Sequence, residues 1–346
     1  MLTHRFLVFA LLTALSCTSF AQEQETPSKY WVSDPQDVIN MKVGYLSPAL
    51  SMKTYVGNSN DESSSPVEFK PPPLSKIFIG ANYRNLGATL SASTRQSSSD
   101  SDKYGSGTAL DFQLNFYGRR LTQQYFYQTY DSYYISNTSV VDPAFPQDQF
   151  IKRPDIKTQH YGVNLIYNFN PENYSLSIAY DQGGWQLESG GAWLVALGLH
   201  NHRFSADPQL LPVNVSSNYG ELATLQKGDI IQLNASGGFG YTQVFKKNWY
   251  GSFNLLLGPG FAYQQFETAE AYYKQSSFNM ASAMTVSFGY NGKDNYVVLQ
   301  GGSNTHTYKF PDLKMEIESL SSALYYGHRF GEMDVGFLNS ISAWLD

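Results

Sequence analysis

From residue 38 onward the chain alternates large apolar residues with small or polar ones. The clearest run is Ile231-Gln232-Leu233-Asn234-Ala235-Ser236-Gly237-Gly238-Phe239-Gly240-Tyr241, whose odd positions are mainly apolar and whose even positions are Gln, Asn, Ser and Gly. A strand sends successive side chains to opposite faces, so this segment has one greasy face and one wet face. In a soluble sandwich the greasy face points inward; in an outer-membrane barrel it points outward, to lipid. The same alternation marks Leu110 to Phe116, Tyr161 to Phe169 (broken at Ile166), Tyr174 to Tyr180, and Met280 to Tyr290. The second face is persistently small, with Gly, Ser, Ala, Asn and Thr, which lets a curved sheet close around a modest lumen.

This rhythm predicts strands at 38–47, 50–57, 76–84, 86–95, 108–117, 121–131, 158–169, 173–182, 191–203, 228–241, 249–263, 278–290, 294–306, 315–329 and 333–343. Short turns are expected at Asn170-Pro171-Glu172-Asn173, Asn291-Gly292-Lys293-Asp294, Gly118-Arg119-Arg120 and Lys246-Lys247-Asn248. Longer polar connections fall near 58–75, 96–107, 131–157, 205–227 and 264–277. Short turns on one side and long loops on the other suit a bacterial barrel, which also has an even strand count. Fifteen segments are odd in number, so either a strand hides in 205–227 or two of the N-terminal segments are one. The expected fold is all-β, a closed antiparallel transmembrane β-barrel of about 14 strands, with 12–16 the plausible range.

The ends set the domain plan. Residues 1–21 read as a cleaved signal peptide, with basic His4 and Arg5, the apolar run Phe6 to Leu15, and Ser19-Phe20-Ala21 ahead of the cut. The apolar run is too short to span a bilayer as a helix, which takes roughly 20 residues. A lipidated Cys17 is the competing reading, but Ala14-Leu15-Ser16 fits a lipoprotein box poorly. Cleavage after Ala21 removes the single cysteine, leaving no disulfide and no thiolate chemistry. Residues 22–37 form a periplasmic lead-in, and 38–346 the barrel.

Composition reinforces the membrane reading. Charged residues make up 15% of the chain against about 25% in average proteins, and aromatics also reach 15%, with 26 Tyr, 22 Phe and 5 Trp. Lipid-facing surfaces exclude charge and collect aromatics at both interfaces. The formal charge is −6, from 23 basic and 29 acidic residues, and becomes −7 once Arg5 leaves with the signal. An acidic balance gives no footprint for nucleic acid. The expected surroundings are the bilayer and lipopolysaccharide of a Gram-negative outer membrane, with the barrel-insertion machinery as the partner during biogenesis.

Three stretches also carry a family resemblance. Phe69-Lys70-Pro71-Pro72-Pro73 leads into the hairpin Ile77 to Ser93. Leu110 to Gly118 is followed by Tyr125-Phe126-Tyr127-Gln128-Thr129-Tyr130 and Tyr133-Tyr134. The third runs from Ala179-Tyr180-Asp181-Gln182 through Trp185-Gln186 to Ser189-Gly190-Gly191. Together they resemble the Bacteroidetes proteins grouped as domain of unknown function 4421. The resemblance covers most of the mature chain and implies an outer-membrane barrel; it carries no established catalytic residues to transfer.

Candidate chemistry is sparse. His200 and His202 lie two apart on one strand face and can begin a metal site, but no third ligand follows at close spacing. His160, His306 and His328 can each serve as a general base, yet no Gly-x-Ser-x-Gly elbow supplies a nucleophile. Asp111 falls on the lumen face, where a pair with Arg84 or Arg329 would brace the barrel. Gly237-Gly238-Phe239-Gly240 and Gly301-Gly302 lie in strands and mark curvature rather than phosphate loops. Arg119-Arg120 and Lys246-Lys247 suit headgroups or water at turns, and the Tyr125 to Tyr134 cluster suits an aromatic girdle. No catalytic, cofactor-binding or metal residue is assigned, and no cofactor is expected. The leading reading is a non-enzymatic membrane barrel, either a narrow pore or a structural or surface-binding barrel. The alternatives are a barrel-rim enzyme acting on envelope lipid and a secreted soluble β-sandwich binding protein.

Overall fold

In the computed structural model, which describes residues 32–33, 38–56, 66–246, 248–310, 313–332 and 336, the alternating segments pair into an antiparallel sheet that closes on itself. In chain order the elements are β1 (Val32–Ser33), β2 (Val38–Val56), β3 (Val67–Lys70), β4 (Lys76–Tyr83), β5 (Leu86–Ser93), α1 (Ser98–Tyr104), β6 (Thr108–Tyr117), β7 (Leu121–Ile135), α2 (Thr138–Val141) and β8 (Ile151–Asn168). They continue with α3 (Leu176–Asp181), β9 (Trp185–Gln186), β10 (Gly190–Ser205), α4 (Val213–Ser216), β11 (Leu225–Phe245), β12 (Trp249–Thr268), β13 (Tyr272–Asn291), β14 (Asn295–Lys309) and β15 (Leu313–Glu332). The ring runs β2–β4–β5–β6–β7–β8–β10–β11–β12–β13–β14–β15 and returns to β2, with Leu313 opposite Val56 and Arg329 opposite Asn40. Among the described residues twelve strands therefore carry the ring, an even number within the expected range. The predicted strand at 333–343 lies outside the described residues apart from position 336.

The greasy face points out. On β11, Leu233 is 55% exposed while its neighbours Gln232 and Asn234 are 0% and 7% exposed on the lumen side. The outer face continues with Leu255 and Leu257 on β12, Met284 and Val286 on β13, and Leu299 on β14. A soluble sandwich would bury these side chains between two sheets. A closed ring that shows them outward needs a lipid solvent, and closure leaves no unpaired edge in it. The structure thus overturns the sandwich alternative.

Several predicted boundaries move, each for a physical reason. The first two predicted segments form one strand, β2, which continues through Pro48. Proline is accommodated there because β2 pairs with β4 only as far as Leu46 and with β3 only from Met52 onward. β3 was not expected. It bridges β2 and β7, with Phe69 opposite both Met52 and Ile135, above the short strands β4, β5 and β6. That bridge covers edges that the tall β2 and β7 would otherwise leave open. The expected loop at 264–277 is instead a tall hairpin, with Gln264 opposite Gln275 and Ala262 opposite Ser277. Polar residues on both faces hid it: Gln264, Thr268 and Ser277 share the inward face with Phe266, so no steady apolar alternation runs through it. No strand occupies 206–224; the chain there contains only short helical turns.

The largest correction concerns 173–182, predicted as a strand. Leu176–Asp181 is the helix α3, with Ser175 as N-cap accepting from the Ile178 N–H at 3.4 Å and Gln182 closing the end in the left-handed region. Its apolar residues are buried on more than one side, so strand alternation was a false lead. β9 beside it pairs with β1, Val32 opposite Gln186.

The glycines of β11 follow their expected role. A Cβ on Gly238 would collide with the Leu255 carbonyl of β12, so the two backbones meet at a spacing only glycine permits.

Candidate functional site

Three layers fill the ring. At the end with the short turns, which faces the periplasm in bacterial barrels, the segment 169–189 between β8 and β10 folds inward instead of turning back at once. Tyr174, Leu176, Ile178 and Ala179 are buried in the barrel. At the other end an apolar cap closes the lumen, built from β3, the upper strands and the loops. It includes Phe69, Tyr133, Ile156, Leu210 and Leu211, with Phe266 against Phe310 at 4.1 Å between ring centroids. A polar cavity lies between the two.

Charge holds the periplasmic layer in place. Lys42 on the β2 wall donates to Asp181 Oδ1 at 2.6 Å, both side chains being 6% exposed. Asn115 and Tyr117 of β6 donate to Asp181 Oδ2 at 2.9 and 2.6 Å. Burial alone would raise the Asp181 carboxyl, but the Lys42 ammonium and the two neutral donors, Tyr117 and Asn115, outweigh it and hold it below its ordinary value. On the other side Arg329 of β15 donates to the Gln182 and Gly184 carbonyls at 3.0 and 3.3 Å and to Asn291 Oδ1 at 2.7 Å. Its guanidinium lies over the rings of Trp185 and Tyr296, 4.5 and 4.9 Å from their centroids. Asn40 and Asn82 add donors to the carbonyls of Gln182 and Asp181. The segment is a plug, tied to the wall mainly by hydrogen bonds to its own backbone and by one buried ion pair.

The polar cavity above the plug has a volume of about 280 Å³ and adjoins a second space of about 210 Å³. Gln113, Gln124, Gln128, Gln300 and Asn304 line both, and Tyr180 of the plug floors both. Side-chain amides dominate this wall.

Four of the histidines meet at its roof. His160 on β8, His200 and His202 on β10 and His306 on β14 converge, although β14 stands across the ring from the other two strands. His160 and His202, opposite each other in the ladder, stack at 3.6 Å between centroids. His306 lies 5.5 Å from His200, 5.7 Å from His202 and 6.2 Å from His160. Among the described residues, no group of three or more His, Cys, Asp or Glu is already arranged as a metal cage. The expected strand-face pair His200 and His202 is therefore half of a larger cluster, whose other half sequence spacing missed. His328 is apart from it, bonded to Asn295 Oδ1 at 2.8 Å on the outward face of β15.

Other sequence expectations sort as follows. Asp111 does lie on the lumen face, but its recorded partner is Gln128, donating at 2.9 Å, rather than Arg84 or Arg329. Arg329 is engaged by the plug, and Arg84 sits in the β4–β5 turn over the Tyr83 ring. The buried carboxylate with a cationic partner is Asp181, which sequence reasoning had placed at a strand end. Arg119 lies at a short turn, paired with Glu172 at 3.3 Å. The Tyr125 to Tyr134 cluster divides. Tyr125 meets Phe116 and Tyr127 meets Tyr161 on the outer strand face, whereas Tyr130 and Tyr133 turn into the cap. The β-bulge between Asp131 and Tyr133, with Ser132 at φ 69°, makes the switch.

No curated protein matches the chain. Among solved structures it resembles the toluene transporter TodX of Pseudomonas putida, at 10% identity over 87% of this chain and 93% of that one, with a TM-score of 0.31. It also resembles an outer-membrane channel of Pseudomonas putida F1, at 11% identity over 89% and 100%, with a TM-score of 0.37. A third is Ail, the attachment invasion locus protein of Yersinia pestis, at 10% identity over 86% and 100%, with a TM-score of 0.25. Likeness at this level transfers no solute and no activity. The chain folds as a closed antiparallel β-barrel with an apolar outer face, and with residues 35–330 matching the family described as domain of unknown function (DUF4421), it belongs to that family.

Proposed function

We propose that this barrel is a non-enzymatic, gated pore for small polar solutes. The observation that carries the reading is the amide-lined cavity, floored by a plug that the sequence ties to the wall through a few separable contacts. A merely structural barrel has no use for a polar chamber of this size, and a lipid-modifying enzyme would set its reactive groups at the rim. Here the histidines lie under an apolar cap, and their recorded partners are Asn164, Phe126, Tyr308 and one another. In this reading the leader of residues 1–21 directs export and is removed, and the insertion machinery assembles the barrel among lipopolysaccharide and phospholipid.

Conductance in planar bilayers tests the pore. Both the plug and the apolar cap must give way for current to pass, so wild-type protein should give rare, short openings, and a Lys42→Met, Arg329→Gln variant, which frees the plug alone, should open more often with each opening still ended by the cap. Silence from both proteins, with insertion verified by protease protection, would leave a structural or surface-binding barrel.

A further inference from the structure

The four-histidine cluster is not used by the pore reading, and its chemistry stands apart from whether the lumen conducts. Its unusual property is convergence. Four of the five described histidines come to one place from strands on both sides of the lumen, beside a cavity whose polar lining is largely amides. His200, His202 and His306 are buried at 8%, 8% and 6% exposure. Each of the four has one shielded ring nitrogen with no hydrogen-bond partner among the described residues: His160 Nε2, His200 Nδ1, His202 Nε2 and His306 Nδ1. A neutral imidazole carries one N–H and one lone pair, so such a cluster offers lone pairs.

At His200 the lone pair can be located. Its Nε2 lies 2.8 Å from Asn164 Oδ1, an atom that can only accept, so Nε2 carries the proton. The lone pair is then on Nδ1, the nitrogen without a partner. An amide oxygen holding the far nitrogen of an imidazole is the usual outer-shell support of a metal-ligating histidine.

Spacing fits as well. Imidazole nitrogens bind a tetrahedral ion at about 2.0–2.1 Å, which places the centroids of the rings about 5 Å apart. The His200–His306 and His160–His200 centroids are 5.5 Å apart and the His202–His306 centroids 5.7 Å. Two pairs depart from this: His160 and His306 must close in from 6.2 Å, and the His160–His202 stack at 3.6 Å must open for both rings to aim at one point. As they stand, no three of the described rings are placed to hold a metal ion, so the site forms only when the rings turn. Imidazole donors without thiolate or carboxylate select Zn²⁺, Cu²⁺ and Ni²⁺ over Mg²⁺ or Ca²⁺.

We propose that His160, His200, His202 and His306 form a binding site for a borderline divalent transition-metal ion, entered from the polar cavity, with Asn164 as a positioning residue. His160, His200 and His306 line that cavity and so give the ion its path.

The test uses untagged, full-length mature protein in detergent, titrated with Co²⁺ and then Zn²⁺, with the boiling-dependent gel shift confirming that each variant is folded. Wild type should bind close to one Co²⁺ per barrel, with the intense visible absorption of a four-coordinate nitrogen site that Zn²⁺ then abolishes. His306→Gln and His200→Gln should each weaken binding at least tenfold, Asn164→Ala roughly tenfold, and His328→Gln should leave it unchanged. If His306→Gln does not fold, His200→Gln and Asn164→Ala give the same reading. Co²⁺ binding that is no tighter in wild type than in the folded His variants, or that falls equally with His328→Gln, would overturn the site and leave the cluster a hydrated polar layer.

Discussion

At the scale of single residues, Lys42 and Asp181 decide whether the plug stays docked at its end of the lumen. Two buried charges in contact contribute little net stability against apolar substitutes, yet removing one partner strands the other and costs about 3–5 kcal/mol. Lys42→Met does this to Asp181, leaving its carboxylate with two neutral donors. If the whole cost falls on the plugged state, 3 kcal/mol shifts the balance of undocked to docked plugs by about a hundredfold. The barrel itself should unfold at nearly the same guanidinium concentration as wild type, because its ladder is untouched. Tryptophan fluorescence for unfolding and limited proteolysis at 169–189 for the plug separate the two effects; a large drop in the unfolding midpoint with no new cleavage would show that the pair braces the wall instead. The sign of the pH dependence follows from the same group. Its folded pKa is depressed, so the contribution is present above the ordinary carboxylate value and is lost as pH falls below it. Cleavage of the wild-type plug should therefore stay constant from pH 8 to about pH 5 and rise only in stronger acid.

At the scale of elements, strands were legible wherever one face met lipid, and illegible elsewhere. Leu233 beside Gln232 and Asn234 announces both strand and orientation, because the bilayer demands an apolar outer face. Gln264 to Ser277 announces little, because its outer side carries Gln265 and Glu267 beyond the lipid and its inner side mixes Gln264 and Thr268 with Phe266 against the cap. α3 misled for a related reason: inside the lumen its surroundings impose no single greasy stripe, and Tyr174, Leu176, Ile178 and Tyr180 happen to alternate. The cue that was available is Ser175, an N-cap residue two positions after a Pro-containing turn. The same logic gives an element-level prediction on β11. Leu233→Arg places a charge on the lipid face and should cost about 2–4 kcal/mol near the bilayer midplane. Asn234→Ala, one residue on, faces the lumen and should cost less than half as much. Urea unfolding in liposomes measures both; equal costs would mean that the two faces are not in different solvents.

At the scale of the whole molecule, the sequence could give the barrel but not its contents. Alternation fixes which side of each strand is greasy, and low charge says the solvent outside is lipid, but neither says which residues meet across the ring. His160 and His306 lie on strands separated by the full sequence between β8 and β14, and only closure brings them together. Asp181 and Lys42 are joined by the same closure, with the plug folded through it. Closure is therefore the property to test at this scale. A closed ring unfolds cooperatively because opening one ladder exposes unpaired backbone groups to lipid. Unheated protein in mild detergent should stay folded and migrate at a different position from boiled protein. The precursor expressed in a Gram-negative host should appear in the outer-membrane fraction and resist carbonate extraction. A water-soluble product with one mobility, boiled or not, would return the outward Leu233, Leu255 and Leu299 to the inside of a sandwich. The cavity, plug and histidine cluster would then have no lumen to occupy.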